Sequence, residues 1–251
     1  MKILVTFAVA SEFAAWRRQH DFRQIAHEPF ALFVSEVAGN AVRVVLTGMG
    51  TAAATEATCW ALTSPADLCI SSGFAGALNS DFNVGTVVAG RLVLRAEREL
   101  AVASDHHLLA VAQEAGARQI DRFLTSEHLI ADAAQKVALA GEADAVEMES
   151  FVILAEAARH GVRAAAIRSI SDTAACSLPY DFDLARDPRG QIRVSALLQQ
   201  VIRQPQRLPA LLSFARDCRF AARQLAEFLD HYLQLLSARL DLSQSEMVAA
   251  T

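Results

Sequence analysis

The stretch Val146-Glu147-Met148-Glu149-Ser150 decides how this chain is read. It follows a lead-in of mostly small residues (141–145) and precedes the apolar run 151–158. A solvated helix face would carry lysine or arginine among its acids, and residues 146–158 contain neither. Two carboxylates therefore enter a strand-to-helix junction that reads as buried. Burying a carboxylate costs several kcal/mol unless it is paired or hydrogen-bonded. On this segment alone, a helix N-terminus whose dipole favours acids explains the pattern equally well.

Working outward, short apolar strands alternate with helices. Strands are expected at 2–9, 30–37, 41–47, 68–72, 84–94, 118–125, 143–148 and 163–171. Helices are expected at 11–20, 51–62, 105–115, 131–139 and 149–160. Gly39-Asn40 between two strands is a hairpin signal. The alternation predicts a three-layer α/β/α fold around a central mixed, mostly parallel twisted sheet. After Asp172 the pattern changes. Residues 174–190 read as a loop, and 195–203 and 208–236 as helices. The expected division is a core at 1–175, a loop and helical extension packed on it at 176–236, and a flexible tail at 237–251.

Composition narrows the function. Hydrophobic residues make up 53% of the 251, enough for a large core, and aromatics only 7%. A net charge of −5 argues against nucleic acid as the partner. Cys59, Cys69, Cys176 and Cys218 are scattered without metal-ligand spacing, so neither a metal site nor a disulfide framework is expected. Cys59 and Cys69, in apolar segments, read as core thiols. The first apolar run meets Glu12 too early for a signal peptide, and no run is long enough to span a membrane. A soluble cytoplasmic protein is expected.

Two glycine segments follow buried strands. Gly48-Met49-Gly50-Thr51-Ala52-Ala53 fits the loose GxGxxA dinucleotide pattern. It follows the second arm of a hairpin and not the first strand, so it reads as a turn at a pocket mouth, and no cofactor is expected. Ser72 to Ala77 (SGFAGA) reads as a second turn, either tightly packed or open to a flat ligand. Glu12 and Asp172 also follow predicted strands. Singly they read as a first-turn helix acid and an N-cap. Together with Glu149 they lie at carboxyl ends of strands, which share one edge in a parallel sheet. Three carboxylates beside two glycine segments suit cleavage of a bond to a ribosyl carbon. The cationic transition state needs an anion, the leaving base a proton, and water a base.

These residues resemble the purine nucleoside phosphorylase and nucleosidase superfamily, most closely the 5′-methylthioadenosine/S-adenosylhomocysteine nucleosidases. The resemblance is carried by MKILVTFAVASEF (1–13), TGMGTAAA (47–54), SSGFAGALNSDFNVGTVV (71–88), AVEMES (145–150) and IRSISD (167–172). It implies that Glu12 activates water, that Glu149 grips the ribose hydroxyls over Met148, and that Asp172, beside Ser171, serves purine N7. It also places Leu129 and Ile130 at the base and Glu147 on the sugar side. Phe74, Ala75, Gly76 and Met49 would line the remaining walls. The phosphorylases carry phosphate-binding arginines where this chain has Phe13-Ala14-Ala15 and Ser71, and Arg17 and Arg18 would sit on the outer face of the first helix. Water is thus preferred over phosphate, with a phosphorylase or a silent nucleoside-binding module as alternatives. Phe74 and Leu129 depart from the family pattern at the substituent and at the base. Leu178-Pro179 and the helices from Ser195 resemble a smaller branch, the hopanoid-associated phosphorylase-like proteins. That branch is linked to removing adenine from an adenosyl-lipid intermediate. Arginines 186, 189, 193, 203, 207, 216, 219 and 223 face only Asp187 and Asp217. Such a region suits a membrane or lipid-bearing substrate, a solvated appendage or a subunit contact. The resemblance implies a homodimer or higher homo-oligomer.

Overall fold

A computed structural model describes residues 1–95, 100–185, 187, 190 and 193–249, with side chains to 239. Ten strands are defined: β1 (Lys2–Phe7), β2 (Arg23–Ala26), β3 (Leu32–Val37), β4 (Asn40–Leu46), β5 (Leu68–Ala77), β6 (Val87–Arg95), β7 (Leu100–Ala103), β8 (Arg118–Thr125), β9 (Ala145–Glu147) and β10 (Arg163–Asp172). The α-helices are α1 (Ala10–Gln19), α2 (Thr51–Ala61), α3 (His106–Glu114), α4 (Ala133–Leu139), α5 (Ser150–Arg159), α6 (Val194–Arg203) and α7 (Leu208–Ala249).

All ten strands join one mixed sheet, and the strands that carry the site, β4, β1, β5 and β10, run parallel in that order. β10 pairs with β5 on one side and with β6 on the other. β6, β8 and β9 then lead back to β5, so this half of the sheet closes into a ring.

Alternation along β1 builds the layers. Ile3, Val5 and Phe7 face a core made with Phe13 and Trp16 of α1, Leu108 of α3, and Leu225, Leu229, Tyr232 and Leu233 of α7. Leu4 faces the opposite core, with Ala54 and Ala57 of α2 and Ile153, Leu154 and Ala157 of α5. The α7 side chains recur at helical spacing, and the Tyr232 hydroxyl donates to the Leu108 carbonyl at 3.1 Å. The C-terminal helix is thus a wall of the α/β unit.

Several local expectations change. The segment 72–77 is no turn, because β5 runs through both glycines to Ala77. β2 and β7 were not anticipated. Helix α7 continues through Ala249, past the end expected at Leu236. Cys59 is exposed, and only Cys69 is a core thiol. Arg186 and Arg189 lie outside the described residues. Among the described residues, no helix is long and apolar enough to cross a membrane, and no cluster of potential metal ligands occurs.

Candidate active site

A cavity of about 360 Å³ opens at the carboxyl ends of β1, β5 and β10. Glu12, Met49, Phe74, Ala75, Gly76, Leu129, Glu147, Met148, Glu149, Ser171 and Asp172 all line it. Ile130 lines a small adjoining recess with His128 and Leu129. All twelve residues singled out in the sequence therefore meet at one place. Leu178 and Phe182 from the loop after β10, and Phe214 and Cys218 from α7, complete the outer wall.

Glu12 is the third residue of α1, and its side chain folds back over the helix start. Its Oε2 accepts from the backbone N–H of Ala8 at 2.8 Å and of Val9 at 3.1 Å. Its Oε1 accepts from the N–H of Phe74 on β5 at 2.8 Å. Burial raises its pKa, against the pull of Arg168 and these three donors.

That bridge to β5 depends on Gly73. A Cβ at this position would lie 2.6 Å from Glu12 Oε1 and 2.6 Å from Arg168 Nη1, and the backbone φ of +141° suits glycine alone. Gly76 performs a similar service further along. It pairs with Asp172 of β10, and its own Cβ would stand 3.0 Å from Asp172 Oδ2.

Glu149 sits at the start of α5, as the opening pentapeptide predicted. Its Oε1 accepts from the N–H of Gly50, at the start of α2, at 2.8 Å. Its Oε2 is 3.4 Å from Arg168 Nη2. Burial, reinforced by Glu147 and Glu12, overcomes the opposing effect of Arg168 and raises its pKa to about 7. Glu147 borders the cavity, but its oxygens are committed to structure. Oε2 accepts from the N–H groups of Glu149 at 2.9 Å and Ser150 at 2.7 Å, and Oε1 from the Thr125 hydroxyl.

Arg168 holds these acids together and was quoted in the sequence without a role. It is 1% exposed. Its Nη2 lies 2.7 Å from Glu147 Oε2 and donates to the hydroxyls of Ser71 and Ser150. The signal was an arginine inside an otherwise small and apolar buried strand, where a charge must find partners.

Asp172 ends β10 and borders the same cavity. Its Oδ1 accepts from the Ser171 hydroxyl at 2.7 Å, and its Oδ2 pairs with Lys136 of α4. Lys136 has no exposed surface and also donates to the carbonyls of Thr173 at 3.1 Å and Cys176 at 2.8 Å. Nothing local in 133–139 distinguishes this lysine from a surface residue, and it was missed. Among the described residues, the cavity wall contains no arginine or lysine. Arg17 and Arg18 are exposed as expected, and Arg17 lies 4.5 Å above the Phe33 ring.

The arrangement offers two acids of raised pKa and one charge-paired acid around a single cavity, with apolar side chains from the loop after β10 and from α7 in its lining. Comparison with known proteins bears on the fold and the family. No curated protein matches the chain. Among solved structures, the 5′-methylthioadenosine/S-adenosylhomocysteine nucleosidase of Campylobacter jejuni superposes with a TM-score of 0.72 at 17% identity, over 93% of this chain and 99% of that one. The same enzyme from Neisseria meningitidis, in complex with methylthio-immucillin-A, gives 0.72 at 20%, covering 93% and 98%. Futalosine hydrolase of Helicobacter pylori gives 0.71 at 18%, again covering 93% and 98%. At these identities the likeness is one of fold. The family model described as the phosphorylase superfamily matches residues 2–203, most of the chain, and to that superfamily the protein belongs.

Proposed function

We propose that the protein is a nucleosidase that hydrolyses the N-glycosidic bond of a purine nucleoside, with adenine as the base. The observation that carries this reading is the make-up of the cavity wall. It brings Glu12, Glu149 and Asp172 together and, among the described residues, contains no arginine or lysine to hold a phosphate.

The roles are those that the family resemblance implies, and the surroundings of these acids support them. Water attacks the anomeric carbon and passes a proton to Glu12. Burial weakens Glu12 as an acid, and so strengthens it as a base. Glu149 accepts from the ribose hydroxyls, and Met148 packs under the sugar. As the bond to the base breaks, its electron pair moves onto the purine, and N7 takes a proton that the Lys136 ammonium passes through the Asp172 carboxyl; the proton that Glu12 took from water returns to Lys136 through solvent once the base has left. Ser171 and Lys136 fix the Asp172 carboxyl in place. The carboxylates also favour the positive charge that develops on the sugar. Leu178, Phe182, Phe214 and Cys218 suit an uncharged, apolar 5′ substituent.

The test is a base-release assay on methylthioadenosine, S-adenosylhomocysteine, adenosine, inosine and futalosine, each with and without phosphate. Release of adenine that is indifferent to phosphate is expected. Strict dependence on phosphate would make the protein a phosphorylase. Tight binding with no base released over hours would make it a binding module.

A further inference from the structure

Helix α6 is oriented the reverse of an ordinary surface helix. Val194, Leu198 and Ile202 recur every fourth residue and so form one stripe. An amphipathic helix normally turns that stripe to the core. Here the three side chains are 66%, 54% and 77% exposed, and no residue of α6 is buried. The helix is tied to the body by polar bonds instead. Gln200 Oε1 accepts from the N–H of Asp181 at 3.0 Å, Gln200 Nε2 donates to the Asp181 carbonyl at 2.6 Å, and the Tyr180 hydroxyl donates to the Gln204 carbonyl at 2.9 Å.

The exposed stripe has company. Of the ten large hydrophobic side chains found exposed among the described residues, seven fall between Leu184 and Phe220. Single exposed apolar residues need no explanation, but a concentration in one region marks an interaction surface. Charge is concentrated there too. Residues 184–220 carry seven arginines, at 186, 189, 193, 203, 207, 216 and 219, against Asp187 and Asp217, in a chain whose net charge is −5. Arg193, Arg203, Arg207 and Arg216 are exposed.

We propose that α6 and the first turns of α7 form a docking face for an anionic lipid bilayer. Apolar side chains projecting between exposed arginines match both layers of such a surface: the stripe enters the acyl boundary and the guanidiniums meet the headgroup phosphates. A second copy of the chain is a poorer occupant. A two-fold contact is self-complementary, so it would set this arginine-rich cluster, with only Asp187 and Asp217 to offset it, against itself. The position of the face gives docking a consequence. Phe214 and Cys218, on the same first turns of α7, line the mouth of the catalytic cavity, and Phe214 packs on Phe182 with ring centroids 5.7 Å apart. Docking would hold that mouth at the membrane surface.

The test is co-sedimentation of the full-length protein with phosphatidylcholine vesicles, with and without phosphatidylglycerol, across a salt series. Binding is expected only with phosphatidylglycerol, and it should weaken as salt rises. The double variant Arg203→Gln/Arg216→Gln should weaken it about fivefold per arginine. Leu198→Glu/Ile202→Glu should abolish it. All four side chains are exposed, so both variants should unfold at the wild-type temperature, and that control is run alongside. No sedimentation with anionic vesicles overturns the proposal, as does binding that either variant leaves unchanged. A dimer in solution that Leu198→Glu/Ile202→Glu disperses would assign the face to a second copy, and would also overturn it. The readout is binding alone, so it stands apart from the reaction proposed above.

Discussion

Replacing Gly73 by alanine tests the closest approach in the site. The added Cβ would stand about 0.8 Å inside an ordinary contact with both Glu12 Oε1 and Arg168 Nη1. Neither neighbour can step back without loss. Glu12 is 5% exposed and would give up a hydrogen bond from Ala8, Val9 or Phe74. Arg168 is 1% exposed and bound to Glu147, Ser71 and Ser150. Overpacking of this kind costs about 1–3 kcal/mol. An alanine held at a φ of +141° adds about 1–3 kcal/mol. The expected sum is about 2–6 kcal/mol, which in a chain of this length lowers the melting temperature by about 4–24 °C.

Scanning calorimetry measures that loss, and base release follows the displacement of Glu12. Gly161→Ala gives a lower bound for the backbone part, because Gly161 has a positive φ (+69°) that alanine tolerates better than +141° and nothing lies within 4 Å of its Cβ position. Truncating Glu12 to alanine removes its part of the clash and leaves that with Arg168. The cost of Gly73→Ala should therefore be smaller in a Glu12→Ala background, and a double-mutant cycle reads the difference. An unchanged melting temperature with full turnover would refute the reasoning outright. An equal cost in both backgrounds would assign the loss to the backbone and Arg168, and remove Glu12 from the steric argument.

Gly73 also shows where the sequence was legible and where it was not. Short apolar runs and the Gly39-Asn40 signal located most strands, because each depends on its own residues. Glu12, Glu149 and Asp172 were legible as a group because parallel strands bring their carboxyl ends to one edge. What escaped depends on partners distant in sequence. Gly73 and Gly76 resemble a turn locally, and only pairing with β10, some ninety residues later, makes them strand. Arg168 was visible as a charge in an apolar strand, yet its partners come from β5, β9 and α5. Lys136 is buried because the loop after Asp172 returns over it, which 133–139 cannot reveal. β2 and β7 are four residues each and partly exposed, too short to show alternation.

Two further outcomes follow from the buried charges. Lys136→Met strips the nearly buried Asp172 of its cation and should cost about 3–5 kcal/mol by calorimetry. Lys136→Met/Asp172→Asn should regain most of that stability but no turnover; a stable single variant would show that the pair is not what holds this wall. Glu149 gives a prediction in pH. Its carboxyl ionises near 7 in the folded protein, against an ordinary value of 4.5, chiefly because it is buried and secondarily because Glu147 and Glu12 are close. The folded state therefore binds its proton more tightly than the unfolded state does. Its contribution to stability is fully present below pH 4.5 and is lost as pH rises to about 7. Glu149→Gln lacks this dependence. The variant should gain on the wild type through that window, by on the order of 3 kcal/mol above pH 7, as read from urea unfolding at a series of pH values. A difference that runs the other way would mean that Arg168, 3.4 Å away, outweighs burial and keeps Glu149 ionised. Glu149 would then enter the reaction as a fixed anion, with no proton to lose on binding the ribose.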